Sequence, residues 1–328
     1  MSTARTLWPC AALSNAPLAG LTNMKVGGAA EWLLEPATPE ELRDAVGAAR
    51  ERGMVPRILG GGANLVVADG VLPGVVIGTS RMNMVMRPQA PDHGAAEALD
   101  QGPDARVAPS PIAEDPRLAC WAGVTMVGLV NRMRRLGLTG LEMLAGVPGH
   151  IGGGVAMNAG GRGWEVWSAV ELVRLIDPDG TFRDLPREEA SPSYRNGNLG
   201  EAVVAGVVLR FGTDSVKEVG ERINEYMRAK NATQPVTAAS AGCVFKNPDP
   251  DASGGLSAGQ LVDACGLKGR RVGAAEVSER HANFITNTGG ATATEVLALM
   301  DLVRDEVAAQ RGVELEFEVK RWLPAAAG

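Results

Sequence analysis

A chain of 328 residues has room for two or three domains with cores of their own, and its 45% apolar and 21% charged content is that of a folded globular protein. A formal charge of −6 excludes a broad phosphate-binding surface, which needs clustered Lys and Arg, so no nucleic-acid partner is expected. No apolar run reaches the roughly 18–20 residues of a membrane span, and the four scattered cysteines, with no CxxC pair, fit reduced thiols rather than a disulfide framework or a zinc site. A soluble cytoplasmic protein without metal follows as the expectation.

In chain order, residues 1–22 contain a broken apolar stretch with Pro9, Asn15 and Pro17, and read as a tail leading into the fold. Thr38, Pro39 and Glu41 then supply an N-cap, a first-turn proline and a capping-box partner, with Leu42, Val46 and Ala49 on one face and Gly53 as the stop. A short strand at Arg57–Leu59 runs into GGGANLVVADG and a second strand near 75–77. Between 87 and 115 Pro, Ala, Asp and Gly dominate and periodicity vanishes, which predicts a flexible surface insertion between two strands. A helix over Met126–Leu136 carries Met126, Leu129, Val130 and Met133 and stops at Gly137.

The stretch LAGVPGHIGGGVAMNAGG (144–161) follows, then a hairpin in VELVRLIDPDGTFRDL, whose DPDG is turn chemistry. A strand at 203–211 and a helix capped by Asp214, with Val216, Val219, Ile223 and Met227, lead into a last domain. There the segment SAGCVFKNP precedes a helix with the capping box Ser257 and Gln260, strands around 274–277 and 283–287, a long helix from the capping box Thr292 and Glu295 to Gly312, and a final strand VELEFEVKR. Irregular alternation with hairpins makes the fold class α+β.

Two glycine loops, 60–65 and 145–154, share one property. Nearly bare backbone lets successive N–H groups approach an anion closely. Neither loop is a Walker A, and neither is a clean GxGxxG opening a helix. Each is a tight turn when read alone; each lies beside a strand and is followed by an asparagine, Asn64 or Asn158, and a diphosphate joining two nucleotide halves would use both.

GGGANLVVADG, GLEMLAGVPGHIGGGVAMNAG, SYRN, SAGCVFKNP, AEVSERHANFITNTGGATATEVLALMDLVRDEV and ELEFEVKR occur in one order. In this the chain resembles the UDP-N-acetylenolpyruvoylglucosamine reductase family, in its shorter branch without a substrate-capping insertion. The resemblance implies a two-subdomain FAD-binding fold of the vanillyl-alcohol-oxidase type plus a C-terminal α/β substrate-binding domain. FAD-binding subdomain 1 would span 23–80, subdomain 2 would span 81–213 with the insertion, and the substrate domain 214–323. Implied ligands are FAD, NADPH as co-substrate and a UDP-sugar enolpyruvyl ether, in a monomer that completes UDP-N-acetylmuramate for peptidoglycan.

The same resemblance carries residue roles. FAD would be held by Gly60, Gly61, Gly62, Ala63, Asn64 and Leu65 of the first loop. From the second it would meet Gly146, Val147, Pro148, Gly149, Gly152, Gly153, Asn158 and Ala159. Arg195 matches the family's clamp for developing carboxylate charge, a task that suits a planar, permanently charged guanidinium. Glu318 matches a C-terminal glutamate that polarises the enolate, although alternation alone would leave it a solvated strand residue. Cys243 stands where many relatives carry the serine that protonates the enolate; a thiol of ordinary pKa near 8.5 keeps its proton at neutral pH and yields it more readily than an alcohol. Tyr194, Lys230, Asn247, His281 and Asn283 would contact the substrate.

Departures from the family pattern are Ala63 for a common serine, Met24 in Asn23–Val26, Arg162 after Gly161, and Gly197 after Asn196. His150, inside the second loop, occupies a position that is usually small and would lie near the flavin. Competing readings are an FAD-dependent oxidase of a sugar or alcohol on the same fold, and a sugar-nucleotide binding protein that has lost catalysis.

Overall fold

The computed structural model describes residues 7–89, 94–100, 111–161 and 163–324. Helices and strands are mixed throughout as α+β, and the chain forms two compact units, each discontinuous in sequence. The first comprises residues 1–13, 33–61 and 75–228; the second comprises 14–32, 62–74 and 229–328. The division falls inside the helix Val216–Thr233, later in the chain than the expected boundary at 214.

The first unit is built on a five-stranded antiparallel sheet in the order Phe182–Pro186, Val170–Ile176, Val203–Arg210, Arg117–Trp121, Val85–Met86. The central run VVAGVVLR is buried at every position but Arg210, as a strand covered on both faces requires. Its neighbour forms the expected hairpin, with Val173 opposite Leu185 on one side and Val207 on the other. Helix Met126–Leu136 starts at Thr125, whose hydroxyl accepts from the Gly128 N–H at 3.0 Å, and ends at Gly137 in the left-handed region. Thr38 likewise caps Pro39–Glu51.

Three expectations need correction here. The N-terminal stretch is no tail: Trp8 and Cys10 are buried, Arg52 lies 4.8 Å over the Trp8 ring, and Ala11–Pro17 is a strand. The aperiodic insertion contains a helix, Ala95–Asp100, with Ala98 and Leu99 buried. A Cβ at Gly206 would come within 2.9 Å of Leu99, so the strand's glycine makes room for this helix. Six residues with two apolar anchors are too few to register as a period; residues 90–93 and 101–110 of the insertion lie outside the described residues. The helix Val216–Thr233 is capped by Ser215, whose hydroxyl accepts from Glu218 N–H at 3.1 Å, while Asp214 pairs with Arg222 at 2.8 Å.

In the second unit, strands Ala239–Cys243, Phe284–Asn287, Ala275–Val277 and Arg271–Val272 form an antiparallel sheet in that order. Leu261, Val262, Leu299, Met300 and Val303 from helices Ala258–Ala264 and Ala293–Arg311 are buried in its core. Both capping boxes are present as expected. Asp69 reinforces the longer helix by accepting from Ala293 N–H at 3.1 Å and from the Thr294 N–H and hydroxyl at 2.9 and 2.8 Å. Met24 is a core residue here, 1% exposed, which gives that departure a packing role.

The final strand is shorter than VELEFEVKR. Only Lys320–Trp322 forms a ladder, parallel to Leu65–Val67, with an isolated pairing of Phe317 to Phe245 before it. The Val244 carbonyl accepts from both Glu318 N–H at 2.8 Å and Val319 N–H at 3.3 Å. There the segment changes partner, from the 244 region to the 64 region, so one continuous ladder cannot form.

Arg117 (4% exposed side chain) and Asp115 (2%) form a bidentate pair in the first unit, with Nε–Oδ1 and Nη2–Oδ2 both 2.7 Å. Burial pushes the Asp115 carboxyl up, but the Arg117 hydrogen bonds and charge outweigh it and hold the group below the usual range. Asp115→Ala is expected to destabilise the chain by about 3 kcal/mol in urea unfolding at neutral pH, because it removes the bidentate partner of a buried guanidinium and leaves it the longer pairing to Glu171 at 3.4 Å. The wild-type contribution is full above the unfolded carboxyl pKa of about 3.9 and is lost as pH falls through the depressed native value. A loss below about 1 kcal/mol would assign the pair no structural weight.

Candidate active site

In the first unit the two glycine loops touch through their backbones. A Cβ on Gly61 would stand 2.7 Å from Gly149 Cα, and Gly149 itself has φ of +111°, so both positions demand glycine. Among the described residues, the main-chain amides of Gly60, Gly61, Gly146, Gly149 and His150 donate no hydrogen bond. Bare, close-packed backbone with several unengaged donors is what a dinucleotide diphosphate requires.

Not every glycine of the second loop faces outward. A Cβ on Gly152 would meet Ala122 at 2.7 Å, so Gly152 serves helix–strand packing, whereas Gly153 has open space beside it. Val147 and Ala159 pack against the core, and Pro148 is exposed. Glu142, just upstream, is a buried carboxylate that accepts from Gly140 N–H at 2.7 Å and from Arg222 Nε at 2.9 Å.

Asn158 is 1% exposed with φ of +45°. Its Nδ2 donates to Glu165 Oε2 at 2.8 Å and to the Ser193 carbonyl at 3.0 Å, which fixes the amide's orientation and leaves the buried Oδ1 without a partner among the described residues. Such an orphaned acceptor fits a ligand N–H. The Ser193 bond also ties Asn158 to the turn bearing Tyr194 and Arg195. That turn is closed by reciprocal Ser193–Asn196 bonds at 2.8 and 3.0 Å and anchored by Gly197 N–H to the Ala156 carbonyl at 3.0 Å. Gly197 lies so close that a Cβ would come within 2.5 Å of the Val155 carbonyl, which explains that departure. Arg195 sits at φ +58°, a left-handed conformation that costs a non-glycine residue about 1–2 kcal/mol, with its guanidinium 5.0 Å over the half-exposed Tyr194 ring. Arg162 lies outside the described residues.

The second unit holds the rest of the first loop. Gly62, at φ +60°, has space for no Cβ, since one would lie 2.1 Å from the Leu21 carbonyl; among the described residues neither Gly62 nor Ala63 donates a main-chain hydrogen bond. Leu65 is buried at the start of its strand. Asn64 is bound to the segment bearing Glu318: its Nδ2 donates to the Glu318 carbonyl at 3.0 Å and its own carbonyl accepts from Lys320 N–H at 3.0 Å. Glu318 N–H in turn reaches Val244, next to Cys243. Thus Asn64, Glu318 and Cys243 belong to one hydrogen-bonded neighbourhood. Glu318 is half-buried, while Glu314 and Glu316 on the same alternation are exposed.

Cys243 ends its strand beyond a bulge between Ser240 and Cys243, where Gly242 has φ of +79°. Bulges re-aim side chains, and this one leaves the thiol half-buried. Cys10 and Cys120, by contrast, are pushed by burial to about 11 and about 12. Cys265 packs against the second unit's core.

Among the expected substrate residues, Asn283 is engaged otherwise. It is 4% exposed, and its side chain brackets Phe245, accepting from the N–H at 2.9 Å and donating to the carbonyl at 2.8 Å. It acts as a strand partner for SAGCVF. Asn247 accepts from Ala258 N–H at 3.1 Å, and His281 Nδ1 accepts from Asn283 N–H at 3.3 Å beside Gly259. Burial lowers the His281 pKa and brings the Lys230 ammonium down to about 8. Thr79, Glu165 and Asp69 escaped the sequence reading, having no motif of their own. Among the described residues no group of three His, Cys, Asp or Glu could hold a metal ion, and no helix is long and apolar enough to cross a membrane.

Residues 110–186 match the family described as FAD binding domain, and residues 234–322 match UDP-N-acetylenolpyruvoylglucosamine reductase, C-terminal domain. The site and the first match together define an FAD-containing oxidoreductase. UDP-N-acetylenolpyruvoylglucosamine reductase of Moorella thermoacetica is 37% identical over 94% of this chain and 93% of its own. The reductase of Myxococcus xanthus is 38% identical over 96% and 94%. The crystal structure of the Thermus caldophilus enzyme matches with a TM-score of 0.73 at 34% identity, covering 95% of this chain and 98% of that one. The chain belongs to the UDP-N-acetylenolpyruvoylglucosamine reductase family.

Asn283→Ala would strip two buried main-chain groups of Phe245 of their partners, at about 1–3 kcal/mol each. The expected loss in urea unfolding is about 3 kcal/mol, and Asn283→Asp, which sets a buried carboxylate oxygen against the Phe245 carbonyl, is not expected to recover it. Equal stability of wild type and the alanine form would return Asn283 to a ligand-facing role.

Proposed function

We propose that this chain reduces UDP-N-acetylglucosamine enolpyruvate to UDP-N-acetylmuramate with NADPH, in the cytoplasm, as a step of peptidoglycan precursor synthesis. Supporting it most is the bonding of Glu318 to Val244, the neighbour of Cys243, and to the Asn64 side chain in the second unit, because it puts an acid, a carboxylate and the end of a cofactor loop on adjoining main chain.

Bound FAD supplies hydride acceptance from NADPH and hydride delivery to the vinyl carbon of the enolpyruvyl ether, chemistry no side chain can perform. The two glycine loops would hold it through main-chain N–H groups, and the Asn158 Oδ1 would be free to accept from it. Arg195 holds the substrate carboxylate, whose charge grows as the enolate forms, and its guanidinium lies 5.0 Å over the Tyr194 ring. Glu318 polarises the enolate. The Cys243 thiol gives its proton to the carbon beside the carboxylate, and the thiolate recovers a proton from solvent. Lys230, partly charged near pH 8, binds the diphosphate of the UDP moiety, with Tyr194, Asn247 and His281 in supporting contacts.

An oxidase would reduce its flavin with substrate and draw no benefit from the Arg195–Glu318 pair; a binding protein would have no use for a thiol aimed by a bulge. Cys243→Ala is expected to lose at least about 100-fold in kcat while NADPH still bleaches the flavin, and Cys243→Ser to retain most turnover. Near-normal turnover in the alanine form would remove the thiol from the mechanism.

A further inference from the structure

His150 has no part in the chemistry assigned above. Its backbone is pinned on both sides: the Gly149 carbonyl accepts from Met126 N–H at 3.0 Å, and Ile151 N–H donates to the Val124 carbonyl at 2.8 Å. The imidazole has two edges with different neighbours. Nδ1 lies 3.2 Å from the hydroxyl of buried Thr79. Cδ2, bonded to Nε2, lies 3.2 Å from where a Cβ on Gly61 would stand, and the His150 Cβ lies 3.8 Å from that of Gly60. The Nε2 edge is therefore turned toward the first glycine loop, whose Gly60 and Gly61 amides donate to no described residue.

Thr79 partners Nδ1 in either tautomer. The Leu59 carbonyl already accepts Thr79 N–H at 3.0 Å and stands 3.4 Å from the hydroxyl, farther than Nδ1 does. When the hydroxyl donates to Nδ1, Nε2 carries the hydrogen; when Nδ1–H donates to the hydroxyl and the hydroxyl to the Leu59 carbonyl, Nε2 is an acceptor, and an anion at Nε2 selects the first arrangement. If the ring is protonated, Nδ1–H donates to the hydroxyl oxygen, whose own proton turns to the Leu59 carbonyl. Both charge states are satisfied on the Thr79 side.

We infer that His150 is a cofactor-binding residue, donating Nε2–H to the anionic diphosphate of FAD and adding a positive charge to that contact as pH falls. This rests on the reading above that the two loops hold FAD. Burial lowers the His150 pKa, and no charged group from the packed loops, from Thr79 or from the helix it caps contributes to the shift, so burial favours the neutral imidazole in the free protein. A bound anion raises that pKa. Affinity then increases as pH falls through the bound-state value and levels off below the free-state one.

The test titrates the full chain, freed of flavin, with FAD and with riboflavin, which lacks phosphate, between about pH 5.5 and 8.5. Wild type, His150→Ala and His150→Gln are compared. The expected result is FAD binding about tenfold weaker in the alanine form at pH 7 and loss of the acid-side gain in both variants. The glutamine form should keep most of the neutral-pH affinity, and riboflavin should bind all three alike. Wild type that binds FAD with the same affinity and pH slope as both variants overturns the inference alone, as does an equal loss of riboflavin affinity. Wild type that binds no FAD overturns the loop reading and this inference with it. If the alanine form does not fold, the pH slope of the glutamine form decides the matter.

Discussion

The peptide groups on either side of Glu318 are bound in opposite directions, N–H to Val244 and carbonyl from the Asn64 side chain. A peptide so held cannot slide in register without breaking both bonds, and a one-residue slip would exchange the buried and exposed faces of the segment. Val313, Leu315 and Val319 make such a slip costly, because each is buried. Phe317 adds a second lock, stacked 5.3 Å from Phe245 with the Arg321 guanidinium 3.9 Å over its ring. The consequence reaches function through geometry: the carboxylate of Glu318, the thiol two residues before Phe245 and the end of the first glycine loop are indexed to one another by main chain.

The first unit solves a different problem. Two loops with the cofactor role proposed above would have to come close without side chains between them, and to leave N–H groups unengaged. Gly61 against Gly149 meets the first need and the unengaged amides of both loops the second. Such loops are weakly held by themselves. Stiffness comes from beneath: Glu142 receives Gly140 and Arg222, Gly152 packs on Ala122, and the buried indole of Trp167 donates to the Val155 carbonyl at 2.9 Å. Asn158 extends the same scaffold to the Arg195 turn, so a strained arginine is supported by bonds made far from it in sequence.

Local chemistry was legible in the sequence. Thr38, Ser257 and Thr292 cap the helices their motifs announce, Gly137 ends the helix it was expected to stop, and DPDG closes the hairpin it predicts. What depends on partners distant in the chain was not. Nothing in VELEFEVKR reveals that residue 318 must change partner, and nothing in HANF reveals that Asn283 serves Phe245, because an amide bracketing a peptide has no sequence signature. Ser215 and Asp214 compete for one cap, and the outcome turned on Arg222 claiming the aspartate. For the site, glycine spacing and family motifs picked out the loops, Arg195, Cys243 and Glu318; the bulge at Gly242 and the Thr79–His150 pair emerged only once the chain was folded.

The central claim is that electrons pass from NADPH to the enolpyruvyl sugar nucleotide by way of a bound flavin. Anaerobic rapid mixing in two stages addresses it directly. NADPH alone should bleach the flavin of the purified protein, and later addition of UDP-N-acetylglucosamine enolpyruvate should restore the oxidised spectrum with one UDP-N-acetylmuramate formed per flavin. A flavin that NADPH leaves oxidised, or that stays reduced when the sugar nucleotide is added, would contradict the account.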